Sequence, residues 1–566
     1  MPFTTEIPGS ARPAEMAEGN ASSRRLLPEF FVAGGFFVVF AVAAINLRES
    51  FFVHEGWLFG EPSWPVWVVE HLLQGDMIFR DVCFPYGVLP TYYLAGAAAL
   101  FGCTTHTIAL FSALAGTLGA ASAILFLRRA GLPVRIRWGV WILIVAPALW
   151  HSSVNLPAYA NLEASLIISI LAVLRLPGER TSGNGLLTGA LMGLLNLTKF
   201  GSFVGIGLAV IALDVFCALI AERNGKGWVA HLFNHVVRPE LMIFYGFLGI
   251  EVPRIFVSWL VFPPDIWKDF AIFPLETIKS YKTFTGGWDV VSFFREAGWG
   301  YRIGTIGLKA LVMAMVLAGA AAAGFRAWKA RDLKNGADGM ILLSAIWFAA
   351  GFLFYYHHLE HIVVYSTPLI AAAAVVLSRL KFAPRLVLGA FLCVCTGGVV
   401  AGKLAFQKDG RTQVLMPNGE KIWFKEQDKA VYEQISATVN GMLKEQGTTG
   451  SGAVVVWRAI GAGWHHFMRW PNACRHGYLI AHEWIRPYEF EQTMGAFLNS
   501  SVYLAKLPRD GDALGVTGDR TTWRVEDWLR VPPEQQPLVM DRLSAPVRAE
   551  SVKNCWLVFK VNPARL

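Results

Sequence analysis

A series of apolar runs, each about as long as a bilayer is thick, constrains the fold of this chain more than any other feature. A helix needs roughly 20 apolar residues to cross the hydrocarbon core of a membrane. The 566 residues are 54% hydrophobic and only 16% charged, which excludes an ordinary soluble globule. About eleven segments qualify as candidate spans by this criterion. They are residues 29–47, 105–127, 138–152, 158–174, 184–199, 202–220, 240–262, 303–324, 339–356, 361–378 and 385–402.

The distribution of Lys and Arg between these spans predicts their orientation. Cytoplasmic loops carry an excess of basic residues. With residues 1–28 as a cytoplasmic tail, every strong basic cluster falls on the cytoplasmic side. These clusters are Arg128, Arg129, Arg135 and Arg137; Arg175 and Arg180; Arg223 and Lys226; Arg326, Lys329, Arg331 and Lys334; and Arg379, Lys381 and Arg385. The formal net charge of +9 is therefore read as loop charge, and no nucleic-acid partner is expected.

This orientation depends on how the apolar stretch Val88–Gly102 is treated. It is too short to span comfortably and would invert everything downstream if it crossed, so we predict an interfacial helix on the outer surface. The amphipathic stretch Trp64–Leu73 receives the same interpretation. Residues 49–104 then form a large first external loop with two surface helices, and they carry several carboxylates. These are Glu49, Glu55, Glu61, Glu70, Asp76 and Asp81.

After residue 402 the composition becomes that of a soluble domain. Residues 403–566 include a predicted buried strand at 453–457 and a predicted helix at 489–498. The orientation count makes this α/β domain external. The predicted fold class is thus an α-helical polytopic membrane protein, with a transmembrane domain at 29–402 and a soluble C-terminal α/β domain.

The seven cysteines give no sign of a metal centre. The chain has no CxxC motif and no His/Cys cluster at metal-ligand spacing, so we expect neither a metal nor a cofactor. An oxidising compartment would permit disulfides between Cys83 and Cys103 and between Cys474 and Cys555, but the residues alone leave both pairings open.

Several polar side chains on the predicted outer side could carry chemistry, and each also has a structural interpretation. Glu55 could act as a general base or be a hydrated loop acid. Asp81 follows Arg80, so a surface ion pair is an equal alternative. Lys199, at the end of a span, could bind a substrate or simply reach the interface. His357–His361 could contact phosphate, and a metal site there is the weaker interpretation.

Within the spans, Glu251 and Arg254 stand three residues apart around Pro253. Charges at that depth are costly unless they are paired, so a mutually neutralising pair is predicted.

The run His54–Gly102 resembles the first luminal loop of the C-type glycosyltransferase superfamily. These are polytopic enzymes that use polyprenyl-phosphate sugars, and they include bacterial relatives of protein O-mannosyltransferases and aminoarabinose transferases. The likeness is carried by an acidic position after the first span, a leucine-rich helix ending at Gly75, the Phe79-Arg80-Asp81 element and the surface helix. Leu197-Thr198-Lys199-Phe200 is similar to the family's lysine turn, and the turn from His357 to His361 to its late histidine turn.

One departure from the family concerns its base. The family has Asp-Glu after the first span, whereas this chain has His54-Glu55. The resemblance implies that Glu55 takes the role of general base, with His54 and Asp81 as alternatives.

The resemblance also implies an inverting transfer of a hexosyl or pentosyl unit to a lipid, glycan or protein of the cell envelope. Bond energy stored in the polyprenyl-phosphate donor removes the need for a nucleotide. The departing lipid phosphate would bind cationic or hydrogen-bonding groups on the periplasmic face of a bacterial inner membrane. The implied substrate-binding residues are Arg80, Lys199, His358, Glu360 and His361.

Two other classes of function remain open at this point. A transporter or flippase of lipid-linked saccharides would predict inverted repeats and broken helices in pairs. A non-catalytic envelope assembly protein is the second alternative, since His54 could mark loss of the acidic pair.

Overall fold

The fold is described from a computed structural model of the chain. It covers residues 31–35, 53, 55–60, 62–78, 80–82, 87–142, 167, 170–171, 182–222, 233, 237–261, 308–330, 333, 336–354, 363–404, 411–445, 453–457, 461–472, 500–507, 547–550 and 555–561.

Helices dominate the first 404 residues of the chain. The first two, α1 and α2, are short, and several of the later ones have the length that a membrane crossing requires. In chain order the helices are α1 (Glu55–Phe59), α2 (Ser63–Leu73), α3 (Val88–Phe101), α4 (Thr105–Arg129), α5 (Val134–Val140), α6 (Ser182–Thr198), α7 (Phe200–Glu222), α8 (Arg238–Val261), α9 (Leu308–Ala330), α10 (Gly336–Phe354), α11 (Val363–Arg379) and α12 (Phe382–Leu404).

Eight of the predicted spans coincide with these helices to within a few residues, from α4 and from α6 to α12. The predicted spans 29–47, 138–152 and 158–174 lie largely outside the described residues. Within the described part, 240–261 and 311–330 are long and apolar enough to cross a membrane by composition alone, and five further apolar helices are shorter. The polytopic helical architecture therefore agrees with the apolar pattern, whereas the number of crossings stays a prediction.

Both predicted surface helices form in the first external loop. α2 buries Trp64 and Trp67, and α3 buries Leu94 on one side. The opposite side of α3 exposes Tyr92 and Leu100, with exposed fractions of 51% and 80%. A helix with one apolar side packed on protein and another uncovered suits a position at the membrane surface.

Two of the predicted cytoplasmic basic clusters meet at one carboxylate. Asp338, in the first turn of α10, is buried and accepts a hydrogen bond of 2.7 Å from Arg326 near the end of α9. Arg379, in the last turn of α11, is paired with the same carboxylate. These ends of three helices therefore lie on one side of the bundle, as the charge pattern predicts.

The charged pair in α8 also forms as predicted. Glu251 is buried and is paired with Arg254 on the next turn of the helix. Asn196 of α6 donates a hydrogen bond of 2.8 Å to the other oxygen of the same carboxylate. The pair therefore joins two helices, which satisfies a charge that would otherwise be costly at this depth.

In the residues that the structure describes, the C-terminal part has two sheets and two helices. Its elements are β1 (Arg411–Leu415), β2 (Lys421–Lys425), α13 (Glu426–Glu445), β3 (Val454–Trp457), α14 (Gly461–Met468), β4 (Val502–Leu507), β5 (Val547–Glu550) and β6 (Cys555–Lys560). β1 and β2 form an antiparallel hairpin. The other sheet has the order β3-β4-β6-β5, with only β3 and β4 parallel.

α13 packs on this sheet because it is amphipathic. Val431, Ile435 and Val439 recur every four residues and are buried, while Glu433 and Gln434 between them are polar and exposed. The predicted strand at 453–457 is β3. The predicted helix at 489–498 lies outside the described residues.

Candidate functional site

The C-terminal part packs directly on the first external loop. Trp423 of β2 donates its backbone N–H to the carbonyl of Val53 at 3.1 Å. Phe59 of α1 enters an aromatic cluster around the buried Trp464, with ring centroids 5.5 Å apart. The first loop and the C-terminal part are therefore in direct contact.

One glycine makes this close contact possible. A Cβ atom at position 463 in α14 would lie 2.4 Å from the carbonyl oxygen of Leu58 and 2.5 Å from that of Trp57. Only glycine lets the backbones of α14 and α1 approach so closely.

Glu55 lies at this contact. It occupies the first turn of α1, where a carboxylate is favoured by the helix dipole, and its side chain is 14% exposed. Oε2 of Glu55 is paired with the guanidinium of Arg411 at the start of β1, which is only 8% exposed. Arg411 also donates to the carbonyl of Trp423 at 3.3 Å, which orients the guanidinium. His54, the neighbouring candidate, is outside the described residues.

Asp81 and Arg80 form the ion pair that was one of the two predicted alternatives. Arg80 donates to the two carboxylate oxygens of Asp81 at 2.6–2.9 Å. The same carboxylate accepts the backbone N–H of Met77 at 2.9 Å, so it also closes the turn after α2. The hydrogen bond to Asp81 raises the pKa of Arg80 further above its ordinary value. Both residues remain on the external loop.

Lys199 is the one residue between α6 and α7, and it is buried, with 2% of its surface exposed. The first external loop reaches this helix break, because the backbone N–H of Gly87 donates to the carbonyl of Thr198 at 3.0 Å. A Cβ at Gly87 would lie 1.7 Å from the carbonyl oxygen of Leu197, so glycine is required there too. The structure therefore brings the predicted lysine turn next to the loop that carries the predicted base.

The histidine turn belongs to residues that the structure does not describe. His358, Glu360 and His361 all fall between α10 and α11 in that gap, so their place relative to Lys199 stays a prediction. In the described parts of the chain, His, Cys, Asp and Glu form no group of three suited to a metal ion.

The loop is held to the C-terminal part by a second set of charges that sequence reasoning did not identify as a site. His466 of α14 contacts Glu70 of α2 at 2.9 Å through Nδ1 and Glu420, just before β2, at 2.7 Å through Nε2. Arg469 pairs with the other oxygen of Glu70. The two contacts to Glu70 join residues 396 and 399 positions apart in sequence, which no local pattern reveals.

Glu420 reaches the membrane helices as well. Its carboxylate accepts the backbone N–H of Thr105 at 3.0 Å and is also bonded to the Thr105 hydroxyl, at the first turn of α4. A carboxylate at a helix N-terminus satisfies free N–H groups and is favoured by the helix dipole.

The pKa values in this cluster shift in a consistent way. Burial would raise the pKa of Glu70 and of Glu420, but hydrogen bonding and charge attraction to His466 outweigh burial and lower both. Burial would lower the pKa of His466, but the two carboxylates outweigh it and raise that pKa. The adjacent His465 is bonded to the backbone of Trp470 instead of a carboxylate, and burial lowers its pKa to about 4.

Cys103 is a free thiol in the structure, so the possible disulfide with Cys83 is not formed. Its Sγ donates weakly to the carbonyl of Val66 at 3.8 Å. Burial, with the nearby charges of Glu70 and Glu420, raises the pKa of Cys103 to about 12. Cys474 and the side chain of Cys555 are outside what the structure describes.

No protein-family model matches the sequence, and a search of curated proteins finds no match either. Solved structures do match. The chain is similar to ArnT from Cupriavidus metallidurans bound to undecaprenyl phosphate, with 14% identity, coverage of 92% of this chain and 97% of that one, and a TM-score of 0.53. Apo ArnT from the same organism matches over the same shares, with 15% identity and a TM-score of 0.48.

The likeness to the undecaprenyl-phosphate complex extends over nearly the whole chain. It shows that this chain shares the fold of ArnT, in agreement with the polytopic architecture that the resemblance implied.

Proposed function

We propose that this chain, which has the fold of ArnT, is an integral membrane glycosyltransferase that uses a polyprenyl-phosphate sugar as donor. The observation that carries the proposal is the fold likeness over 92% of the chain to a protein that binds undecaprenyl phosphate. The acceptor is a lipid, glycan or protein of the cell envelope, and transfer takes place on the periplasmic face of a bacterial inner membrane. The N-terminus is then cytoplasmic, and residues 403–566 form a periplasmic domain.

Glu55 is the general base in this proposal. An acceptor hydroxyl at neutral pH is a weak nucleophile, so a positioned carboxylate must take its proton as the oxygen attacks the anomeric carbon. The guanidinium of Arg411 holds the Glu55 carboxylate in place through Oε2. Asp81 is the weaker candidate because Arg80 binds both of its oxygens and the backbone of Met77 binds one of them as well. His54 remains the other alternative.

The bonds change in one displacement. The acceptor oxygen bonds to the anomeric carbon, the bond from that carbon to the phosphate oxygen breaks, and the proton passes to Glu55. One displacement on the face opposite the leaving group inverts the anomeric centre. The polyprenyl phosphate leaves with an additional negative charge.

Lys199 is the group best suited to stabilise that charge. A buried ammonium acts more strongly on a phosphate than an exposed one, because water screens it less. Its position beside Gly87 of the external loop supports this role. Arg80, His358, Glu360 and His361 complete the proposed donor site.

The test is transfer in vitro with a panel of polyprenyl-phosphate sugars, using wild-type protein and Glu55→Gln. We expect the variant to lose about 10²–10⁴-fold in kcat, the range for loss of a general base, and to keep donor binding. Glu433→Gln is a matched control, since Glu433 is an exposed carboxylate on α13 that pairs with Lys429 one turn earlier in the same helix.

If Glu55→Gln keeps the wild-type turnover, Glu55 is not the general base. Wild-type protein that is folded but transfers no sugar from any donor would favour a transporter or an assembly protein.

A further inference from the structure

His466 links two carboxylates that come from distant parts of the chain. Its Nδ1 lies 2.9 Å from Glu70 and its Nε2 lies 2.7 Å from Glu420, and the imidazole is fully buried. Glu70 belongs to the surface helix α2, whereas Glu420 belongs to the C-terminal hairpin and binds the first turn of α4. The imidazole therefore stands between the external loop and the C-terminal part.

The geometry determines the protonation state of this imidazole. An ionised carboxylate can only accept hydrogen bonds, so both ring nitrogens of His466 must donate. A histidine that donates from both nitrogens is an imidazolium. With Arg469 and the two glutamates, the cluster then holds two positive and two negative charges and is neutral as a whole.

The groups around the cluster are consistent with this state. Asn418 donates its Nδ2–H to Glu420 at 3.0 Å and so shares that carboxylate with His466; the same Nδ2 lies 3.2 Å from Nε2 of His466, and Glu420 at 2.7 Å is the nearer partner of that ring nitrogen. His465 donates its Nδ1–H to the carbonyl of Trp470 at 3.0 Å, and His71 is bound to Asp76 at 2.6 Å. The thiol of Cys103 is protonated at neutral pH, because its pKa is about 12.

Residues bound in this cluster flank, in sequence, the loop segment that approaches Lys199. Glu70 comes before Gly87 in the chain, and Thr105, which binds Glu420, comes after α3. Fixing both to the C-terminal part limits the movement of the segment between them. The Glu55–Arg411 pair fixes the beginning of the same loop.

We propose that His466 is a positioning residue that acts as an imidazolium, clamping Glu70 and Glu420 so that the C-terminal part holds the external loop in place. Deprotonation of His466 removes its hydrogen bond to one of the two carboxylates, and the external loop is then held less firmly to the C-terminal part. Its effect on transfer rests on the proposed function, whereas the clamp itself does not.

The pH dependence follows from the direction of the shift. The folded-state pKa of His466 is raised above its ordinary value of 6.5. The stabilising effect is therefore fully present below about pH 6.5 and is lost as the pH rises through the folded-state pKa.

The first experiment measures the thermal unfolding midpoint Tm of the purified full-length protein between pH 6 and pH 10. The Tm of the wild-type protein should fall in a step as His466 deprotonates, and the Tm of His466→Gln should show no such step. His465→Gln is the matched control. It removes a neighbouring buried imidazole that is already neutral, so its Tm should be lower at every pH with the step retained.

Glu70→Gln provides a second variant if His466→Gln does not fold. Loss of one carboxylate charge should move the step to lower pH by about one unit or more. A step that persists unchanged in His466→Gln, or that stays at its wild-type pH in Glu70→Gln, would overturn the clamp.

The second experiment measures kcat and the donor KM over the same pH range. Wild-type kcat should fall at the pH of the Tm step, and His466→Gln should have lower kcat at neutral pH with little change in donor KM. Misplacement of a catalytic group by about 1 Å costs up to about 100-fold. A wild-type protein without transfer activity would end the proposed function, but the Tm experiment would still decide the clamp. If kcat does not change at the pH of the Tm step, His466 has a purely structural role and does not position the catalytic groups.

Discussion

Lys199 shows how much the meaning of a single residue depends on its surroundings. A lysine at the end of a span commonly extends to the membrane surface, where water solvates its ammonium group. Here it is 2% exposed and sits in a helix break against the external loop. Burial of a cation is costly unless a negative or polar group balances it, so the surroundings of this lysine decide its role more than its place at the end of a span.

Lys199→Met should therefore weaken donor binding. A hydrogen bond to a charged group contributes about 1.5–3 kcal/mol, which corresponds to roughly 10- to 100-fold in affinity. Titration with a polyprenyl phosphate gives the dissociation constant directly. Lys381→Met removes an exposed lysine at the other end of the bundle and should leave binding unchanged. Equal binding by wild type and Lys199→Met would end the proposed phosphate role.

At the scale of elements, the loop segment around Gly87 and the end of α6 depend on each other. The hydrogen bond from Gly87 to Thr198 uses a carbonyl that the helix break leaves without a helical partner. This contact holds the segment beside Lys199, and it requires a residue without a Cβ atom.

Gly87→Ala should separate these two elements. The added methyl group would overlap the carbonyl of Leu197, and overpacking of this kind costs about 1–3 kcal/mol. We expect a lower Tm together with a higher donor KM. Gly96→Ala, in α3 of the same loop, has open space around the new methyl group and should keep wild-type Tm. Two variants with the same Tm and KM would show that the Gly87 contact is unimportant.

At the scale of the whole molecule, buried and partly buried carboxylates form ion pairs in two separate places of the described structure. At one end, Asp338 pairs with Arg326 and Arg379, which come from two different helices. At the other, Glu55, Glu70 and Glu420 join the external loop to the C-terminal part. The proposed orientation puts the first end in the cytoplasm and the second in the periplasm.

Cysteine labelling in intact cells tests this orientation. In a cysteine-depleted background, Lys421→Cys should react with a membrane-impermeant maleimide, because Lys421 is exposed on β2. Lys381→Cys, exposed between α11 and α12, should react only after the membrane is permeabilised. Labelling of both positions from the same side would rule out the topology and with it a periplasmic site.

The apolar runs and basic clusters were sufficient to predict most of the described helices and the shared side of Arg326 and Arg379. Hydropathy and helix period are local properties, so they can be read from neighbouring residues. The surface helices α2 and α3 and the strand β3 were predicted for the same reason. The contact of Gly87 with Thr198, next to Lys199, could not be predicted in this way, because it joins residues more than 100 positions apart in the chain.

The sequence by itself determined a polytopic helical chain with a polar C-terminal part, since the cost of placing polar groups in lipid acts residue by residue. Only the tertiary structure decided which charges meet. The pairing of Glu55 with Arg411 and of Glu70 with His466 is set by the packing of α14 against α1 and α2. Such pairs depend on the positions of whole elements in space, and the spacing of residues along the chain carries no record of them.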